Sequence, residues 1–278
     1  MLGNTIIATP FETRMRALIV EEDVASELPD DAFDGQRLFK IRAADTEGHR
    51  SSANILINRR YAWRGYRSST AFRPRASQNE DRITLVAVGH DETIGTISVG
   101  FDGPHGLFVD DLFAEEVAAL RNKGRKVCEF TKLAVDTVAR SKRVLASLFH
   151  VAYIYAHRLR GFDSLLIEVN PRHVRYYAQM LGFRIIGPER LNHRVNAPAV
   201  LMCLDFSHAH AQIGRFGGNP QSVAVERSLY PYAFSVDEEA GIVGRLRAAT
   251  LHDGDFTRPG QGDFLRAPVR PYLASAAI

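Results

Sequence analysis

A glutamate in the middle of an apolar strand is the residue in this sequence that first suggests chemistry. The run Val127-Cys128-Glu129-Phe130-Thr131-Lys132-Leu133-Ala134-Val135-Asp136 has the β-branched and aromatic content of a buried strand, yet holds Glu129 and Lys132. A carboxylate buried there needs a partner or carries a raised pKa. Acid–base sites have that property, and so do ion pairs that only pin a sheet. Shortly after, Arg140, Lys142 and Arg143 crowd the expected start of a helix. The macrodipole is positive there, so each cation is disfavoured by about 0.3–1 kcal/mol. Free backbone N–H groups plus that charge suit a phosphate; a solvated basic corner is the plainer alternative.

The elements that must position these residues follow from periodicity. Ser141 suits an N-cap, and Val144, Leu145, Leu148, Phe149, Ala152, Tyr155, Ala156 and Leu159 recur at three- and four-residue steps up to Gly161. The unit is therefore strand, basic turn, helix. Upstream, residues 37–42 alternate as a strand, and residues 50–66 read as a helix carrying the sole tryptophan, Trp63. Residues 83–88 and 94–99 read as a hairpin about Gly89-His90-Asp91-Glu92, with Gly95 marking a bulge or a close approach. Asp110 and Asp111 open a helix that Gly124 closes. Downstream come a strand at 164–169, a short helix opened by Asn170-Pro171 and stopped at Gly182, and a final strand pair at 184–187 and 199–204.

Composition sets the outer bounds. The chain has 278 residues, 45% hydrophobic and 24% charged, with a formal net charge of +3. That fits one large globular domain, or one domain with an appendage. No apolar run reaches the roughly 18 residues a membrane span needs, and the N-terminus lacks the pattern of a signal peptide. Two cysteines in apolar runs, Cys128 and Cys203, suggest packing rather than pairing, and a cytoplasmic protein. His208 and His210 have no neighbours at metal-ligand spacing, so no metal site is expected.

Charge is unevenly spread. Residues 21–34 hold seven acids and no Lys or Arg, whereas residues 121–175 hold twelve Lys or Arg against four Asp or Glu. A basic face implies an acidic partner; no nucleic-acid motif accompanies it, and an acidic carrier protein is the other candidate. The domain expectation is a mobile acidic arm over 1–36, a catalytic domain over 37–206, then a linker (207–225), a short helix (238–246) and an irregular tail within 207–278.

Several motifs carry a family resemblance. Glu129-x-x-Lys132-Leu133-Ala134-Val135 resembles the Glu-x-x-Arg/Lys-(Leu/Phe)-Ala-Val strand of the acyl-homoserine-lactone synthases and the bacterial N-acyl amino acid synthases, both GNAT-like acyltransferases. The run Arg60-Tyr61-Ala62-Trp63-Arg64-Gly65-Tyr66 resembles the second group more closely. Leu120-Arg121-Asn122-Lys123-Gly124 after an acidic pair is similar to both, and Tyr176-Tyr177-x-x-x-Leu181-Gly182-Phe183 resembles the ending common to GNAT proteins. The resemblance spans roughly residues 37–206 and implies an α/β fold, a GNAT-like mixed central sheet flanked by helices, here with a partly helical C-terminal extension.

It also implies a function. In such proteins two neighbouring strands, here 127–135 and 164–170, splay apart. An acyl-thioester arm slides between them, held here by amides near Leu133, Ala134 and Val135. CoA-using relatives open the next helix with a glycine-rich turn, but Arg140-Ser141-Lys142-Arg143-Val144-Leu145 has no glycine. That departure points to acyl-phosphopantetheine on acyl-carrier protein as donor, with Arg140, Lys142 and Arg143 holding its single phosphodiester. The implied reaction moves a long acyl chain to the amine of an amino acid, with no permanently bound cofactor. Glu129, tuned by Lys132, is the expected base and Tyr177 the expected acid. Arg60, Trp63 and Arg67 are the acceptor candidates. A CoA-dependent acetyltransferase and a non-catalytic carrier-protein-binding domain are the alternatives.

Overall fold

The computed structural model describes residues 5–11, 38–63, 81–136 and 141–253; the side chains of residues 60–63, 220 and 250–253 lie outside that description. One mixed sheet runs through it in the order β1-β2-β3-β4-β5-β6-β9-β7, with β8 on β9. Its strands are β1 (Thr5–Pro10), β2 (Leu38–Ala43), β3 (Arg82–Gly89), β4 (Glu92–Phe101), β5 (Val127–Val135), β6 (Ser164–Val169), β7 (Arg184–Ile185), β8 (Arg190–Asn192) and β9 (Ala197–Asp205). The helices are α1 (Glu47–Trp63), α2 (Asp110–Asn122), α3 (Lys142–Tyr153), α4 (Val174–Leu181), α5 (Phe206–Phe216) and α6 (Val236–Asp253). All neighbours pair antiparallel except β5 and β6.

Local chemistry sets these elements. His90 and Asp91 turn the β3–β4 hairpin at φ 51° and 62°, the two positive values a two-residue type I′ turn requires. At Gly95 both sequence expectations are met. The β3–β4 register shifts beside it, and a Cβ there would lie 2.9 Å from Leu148 Cδ1 of α3. The Ser141 side chain caps α3 by accepting from the amides of Arg143 and Val144. Gly182 ends α4 at φ 83°.

α3 is buried nearly all round, from Val144 and Ala146 through Tyr153. Its apolar stripe packs on the sheet, and its other side is covered by the chain after residue 205. The helix expected from Ser141 to Gly161 is present, its last part as a π-helical turn at Ile154–Leu159, but burial extends beyond the one apolar stripe expected of it. Residues 207–225, read as a linker from their Gly, Asn, His and Ser content, contain α5, capped by Asp205, and a 3₁₀ turn at Pro220–Ala224. The helix expected at 238–246 runs over Val236–Asp253. Likewise Thr5–Pro10, assigned to a mobile arm, forms an edge strand on β2; most of that arm, 12–36, lies outside the described residues. In α5 the apolar residues Phe206, Ala209 and Ile213 do fall at helical spacing and are the ones buried, so a periodic signal was present beneath the Gly, Asn, His and Ser content.

α6 is fixed by a buried ion network. His150 of α3 donates from Nε2 to Glu239 at 2.9 Å and accepts from the Phe234 amide through Nδ1 at 3.0 Å, while Arg158 reaches Glu239 at 2.9 Å. Burial alone would raise the Glu239 carboxyl. The hydrogen bond from His150 and the charge of Arg158 outweigh it and hold the pKa below the ordinary value. A carboxyl depressed in the folded state stabilises above its unfolded pKa, and that stability is lost as pH falls through the folded pKa. Glu239→Ala should therefore cost about 3–5 kcal/mol at neutral pH in urea unfolding, and the gap from wild type should close as pH drops below the carboxylate range. An unchanged midpoint at pH 7 would show that α6 docks without this network.

Candidate active site

The sheet branches at one point. β5 and β6 pair in parallel only at Val127↔Ser164, Cys128↔Leu165 and Glu129↔Leu166. Beyond that, β6 continues on β9 as far as Val169↔Val200, and β5 continues on β4 as far as Val135↔Gly95. From Phe130 onward, the β6-side edge of β5 has no described strand beside it. A cleft of about 380 Å³ opens there.

Strand alternation gives the cleft two characters. Phe130 and Ile167 face α3 and join its apolar core with Phe149. Glu129 and Glu168 share the opposite parity with Val127 and Leu166, which pack under Phe113 and Val117 of α2. One face of the branch is thus hydrocarbon and the other carries carboxylates.

A β-bulge sits just past the branch. Ser98 pairs with Thr131 and Thr96 with Ala134, so Lys132 and Leu133 together oppose Ile97. Lys132 takes φ 54°, a left-handed value that a non-glycine side chain adopts at a cost. The bulge swaps the parity of the strand: Ala134 now packs on Leu56 and Ile57 of α1. Lys132 lines the cleft and also a second pocket of about 550 Å³, where Arg50, Arg82 and Asp45 lie between α1, β2 and β3. The Lys132 side chain reaches solvent. Even so, the protein packed around it and the Arg82 charge hold its pKa below the usual lysine value.

Glu129 is fully buried, and its partner is Arg82 rather than the expected Lys132. Oε1 accepts from Arg82 Nη2 and from the Phe108 amide at 3.1 Å; Oε2 accepts from the Val109 amide at 3.0 Å. Arg82 also donates to Thr131 Oγ1 at 2.8 Å, and its guanidinium lies 4.1 Å from the centroid of the Phe108 ring. The Arg82 Nε is buried and has no hydrogen-bond partner among the described residues. Even with the bulge in place, Lys132 is not the group that neutralises Glu129.

Sequence reasoning missed the second carboxylate. Glu168 on β6 accepts from the Asn192 amide group and from Arg194 Nη2 at 2.7 Å. Burial raises its pKa, against the lowering charge of Arg194 and the Asn192 hydrogen bond, and the negative charge of Glu129 adds to the rise. Arg194 also donates to the Phe108 carbonyl at 3.1 Å and lies 3.3 Å from Asp111, tying the 107–111 loop to the cleft mouth. The signal that drew attention to Glu129, an acid inside an apolar strand, applied equally to Glu168.

The other expected residues fall as follows. Tyr177 of α4 lines the cleft, its ring edge-on to Phe183. Leu133, Ala134 and Val135 follow the bulge along the open edge of β5. Lys142 is exposed, 5.5 Å from the centroid of the Tyr232 ring. Arg143 contacts the Tyr232 carbonyl and Thr9 Oγ1, both at 3.3 Å, so it docks the C-terminal segment and β1. Ser141 already caps the amides of Arg143 and Val144, which reduces the donors left for a phosphate. Arg67, Arg140 and the side chains of Arg60 and Trp63 lie outside the described residues. Cys128 and Cys203 are buried free thiols, raised by burial. Among the described residues no group of three or more His, Cys, Asp or Glu could hold a metal, and no helix is long and apolar enough to cross a membrane.

A mixed sheet opened between two parallel strands, with hydrocarbon on one side of the gap and ionisable groups on the other, offers the two kinds of surface that moving an acyl group to an amine requires. Residues 52–205 match the family described as N-acyl amino acid synthase FeeM, and the chain belongs to that family of N-acyltransferases. The solved structure of FeeM, an N-acyl amino acid synthase from uncultured soil microbes, is 30% identical with a TM-score of 0.56; the match covers 62% of this chain and 93% of that one. An acyl-CoA N-acyltransferase from Pseudomonas aeruginosa is 15% identical (TM-score 0.41, covering 59% of this chain and 97% of that one). The acyl-homoserine-lactone synthase LasI is 7% identical (TM-score 0.43, covering 61% and 90%). No curated protein matches the chain.

The Glu129–Arg82 pair gives a direct test. Arg82→Met leaves a buried carboxylate with only two amides, which should cost about 3–5 kcal/mol. Adding Glu129→Leu to that variant removes the stranded charge and should recover most of the loss in denaturant unfolding. A double mutant no more stable than Arg82→Met would show that the pair does not carry this energy.

Proposed function

We propose that the protein transfers a long-chain acyl group from the phosphopantetheine arm of acyl-carrier protein to the amine of an amino acid. The observation that carries this reading is the branch itself: an apolar wall and an ionisable wall meet at one gap, beside the Lys132 bulge. The acyl chain lies along the Phe130 and Phe149 side. The amine approaches from the side of Glu129 and Glu168. Within the Leu133, Ala134 and Val135 stretch, amides alternate between β4 and the open edge of β5; those on the open edge, Val135 among them, hold the arm and stabilise the oxyanion of the tetrahedral intermediate. The glycine-free start of α3 favours a phosphopantetheine carrier over free CoA, with Arg140 and Lys142 meeting its phosphodiester and the acidic carrier. A cytoplasmic setting follows from that donor.

The pocket lined by Arg50, Arg82 and Lys132 supports an acceptor that carries a carboxylate; Arg60, Trp63 and Arg67 stay acceptor candidates on their sequence alone. The amine lone pair attacks the thioester carbon, the C–S bond breaks, and Tyr177 donates a proton to the departing thiolate. Glu129, already bonded to a guanidinium and two amides, orients the branch. Glu168, with its raised pKa, takes the proton from the amine. The catalytic domain in this reading spans 37–206.

A base must be ionised to act. Turnover should therefore rise with pH through the Glu168 pKa, which lies above its ordinary value, and then level off. Glu168→Gln should lower kcat by about 10²–10⁴ and replace that limb with a shallow rise that follows free amine. Glu129→Gln should chiefly lower stability. The same assay, run on amino acids with tetradecanoyl and acetyl thioesters of carrier protein and CoA, tests the donor. Equal rates with both acyl groups, or CoA as the better carrier, would overturn the long-chain carrier-protein reading.

A further inference from the structure

The cleft does not end at its apolar wall. Phe130 and Phe149, whose ring centroids are 5.9 Å apart, also line a separate cavity of about 30 Å³ on the far side of that wall. Its remaining surface is almost wholly hydrocarbon, and Phe206, Ala209, Ile213, Tyr230 and Ala233 supply its floor. The one hydroxyl at that floor, Tyr230, donates to the Leu181 carbonyl at 2.7 Å, so it presents no free polar group. The space is about that of a single water, yet it lacks the two to four polar partners a water needs. All five floor residues lie after residue 205, where the match to the FeeM family ends.

We propose that this extension closes the acyl site and gauges the length of the acyl chain. The terminal methylenes of the donor end against the Phe130–Phe149 pair, and the space behind those rings, which α5 and the 3₁₀ turn at Tyr230–Tyr232 wall off, sets how far the rings yield to them. The inference rests on the acyl-transfer reading of the cleft and adds a specificity site from outside the family's matched region. Because the space is so small, it discriminates at the level of one or two methylenes. Each CH₂ that finds apolar burial is worth about fourfold in affinity, and one that does not fit loses at least that. Ala209 and Ala233 set the room available, since larger side chains there would fill it.

The test is a series of saturated acyl donors from eight to eighteen carbons, on both carrier protein and CoA, read as kcat/KM for each length relative to the eight-carbon donor. Wild type should show a peaked profile. Ile213→Ala should move the peak to longer chains by one or more carbons, and Ala209→Leu should move it to shorter ones. Ala233→Val provides a second filling variant should Ala209→Leu fail to fold, which a melting curve reports. A ratio of lengths is insensitive to general loss of folded protein. A flat wild-type profile, or the same peak in folded Ile213→Ala and in a folded filling variant, overturns the gauge. Turnover from CoA alone, with the peak still moving, would overturn the carrier-protein donor and leave the gauge standing.

Discussion

The buried Glu129 carboxylate is the constraint around which the active-site half of the molecule is arranged. An isolated charge with no exposed surface is prohibitively costly, so the fold must bring a cation and hydrogen-bond donors to it. It does so from two directions. Arg82 comes from the first residue of β3, and the Phe108 and Val109 amides come from the turn that opens α2. The same carboxylate therefore fixes where β3 begins, across β4 from β5, and where the 107–109 loop lies over the sheet. It sits at the last paired residue before β5 and β6 part. The gap opens at a point that the ion network makes rigid, and it is there that the proposed reaction brings its substrates together.

Strand geometry then explains how one gap serves two unlike substrates. Successive side chains of β5 and β6 point to opposite faces, so a gap between them is lined by hydrocarbon on one side and by carboxylates on the other without any special loop. The bulge at Lys132 adds the remaining requirement. It turns the strand so that Lys132 reaches the polar pocket under α1 while Leu133 stays in the apolar core. The positive φ at Lys132 is local strain offset by the surrounding sheet, and strain of that kind concentrates at functional sites.

Much of this was legible in the sequence, for reasons that can be named. Strands and helices of the central unit were readable because their periodicity is strong and their caps, Ser141 and Gly182, have the chemistry that caps require. Glu129 stood out because polarity inside an apolar strand is visible one residue at a time. Its partner was not visible: Arg82 is 47 residues away, and only the sheet brings the two together. Reading Lys132 as the partner followed sequence proximity where register governs. Glu168 was overlooked although it bears the same mark, and Arg194, which holds it, comes from a turn that no periodic signal announces. Residues 207–225 looked like linker because Gly, Asn, His and Ser dominate their composition, although Ala209 and Ile213 within them are buried in the core.

That cover bears on how the basic start of α3 should be understood. Cations at a helix N-terminus are unfavourable unless something answers them, and in this protein two different things do. Arg143 faces inward to the Tyr232 carbonyl, Thr9 and the ring of Phe234, 5.8 Å from its centroid, and so fastens the extension and β1 to the end of α3. Lys142 stays exposed beside Tyr232. The basic corner is thus part scaffold and part surface. A triple charge reversal at Arg140, Lys142 and Arg143 would confound the two, because losing Arg143 would loosen the very segment that walls the apolar cavity. Only Lys142 can be altered with the expectation that electrostatics, and not packing, responds.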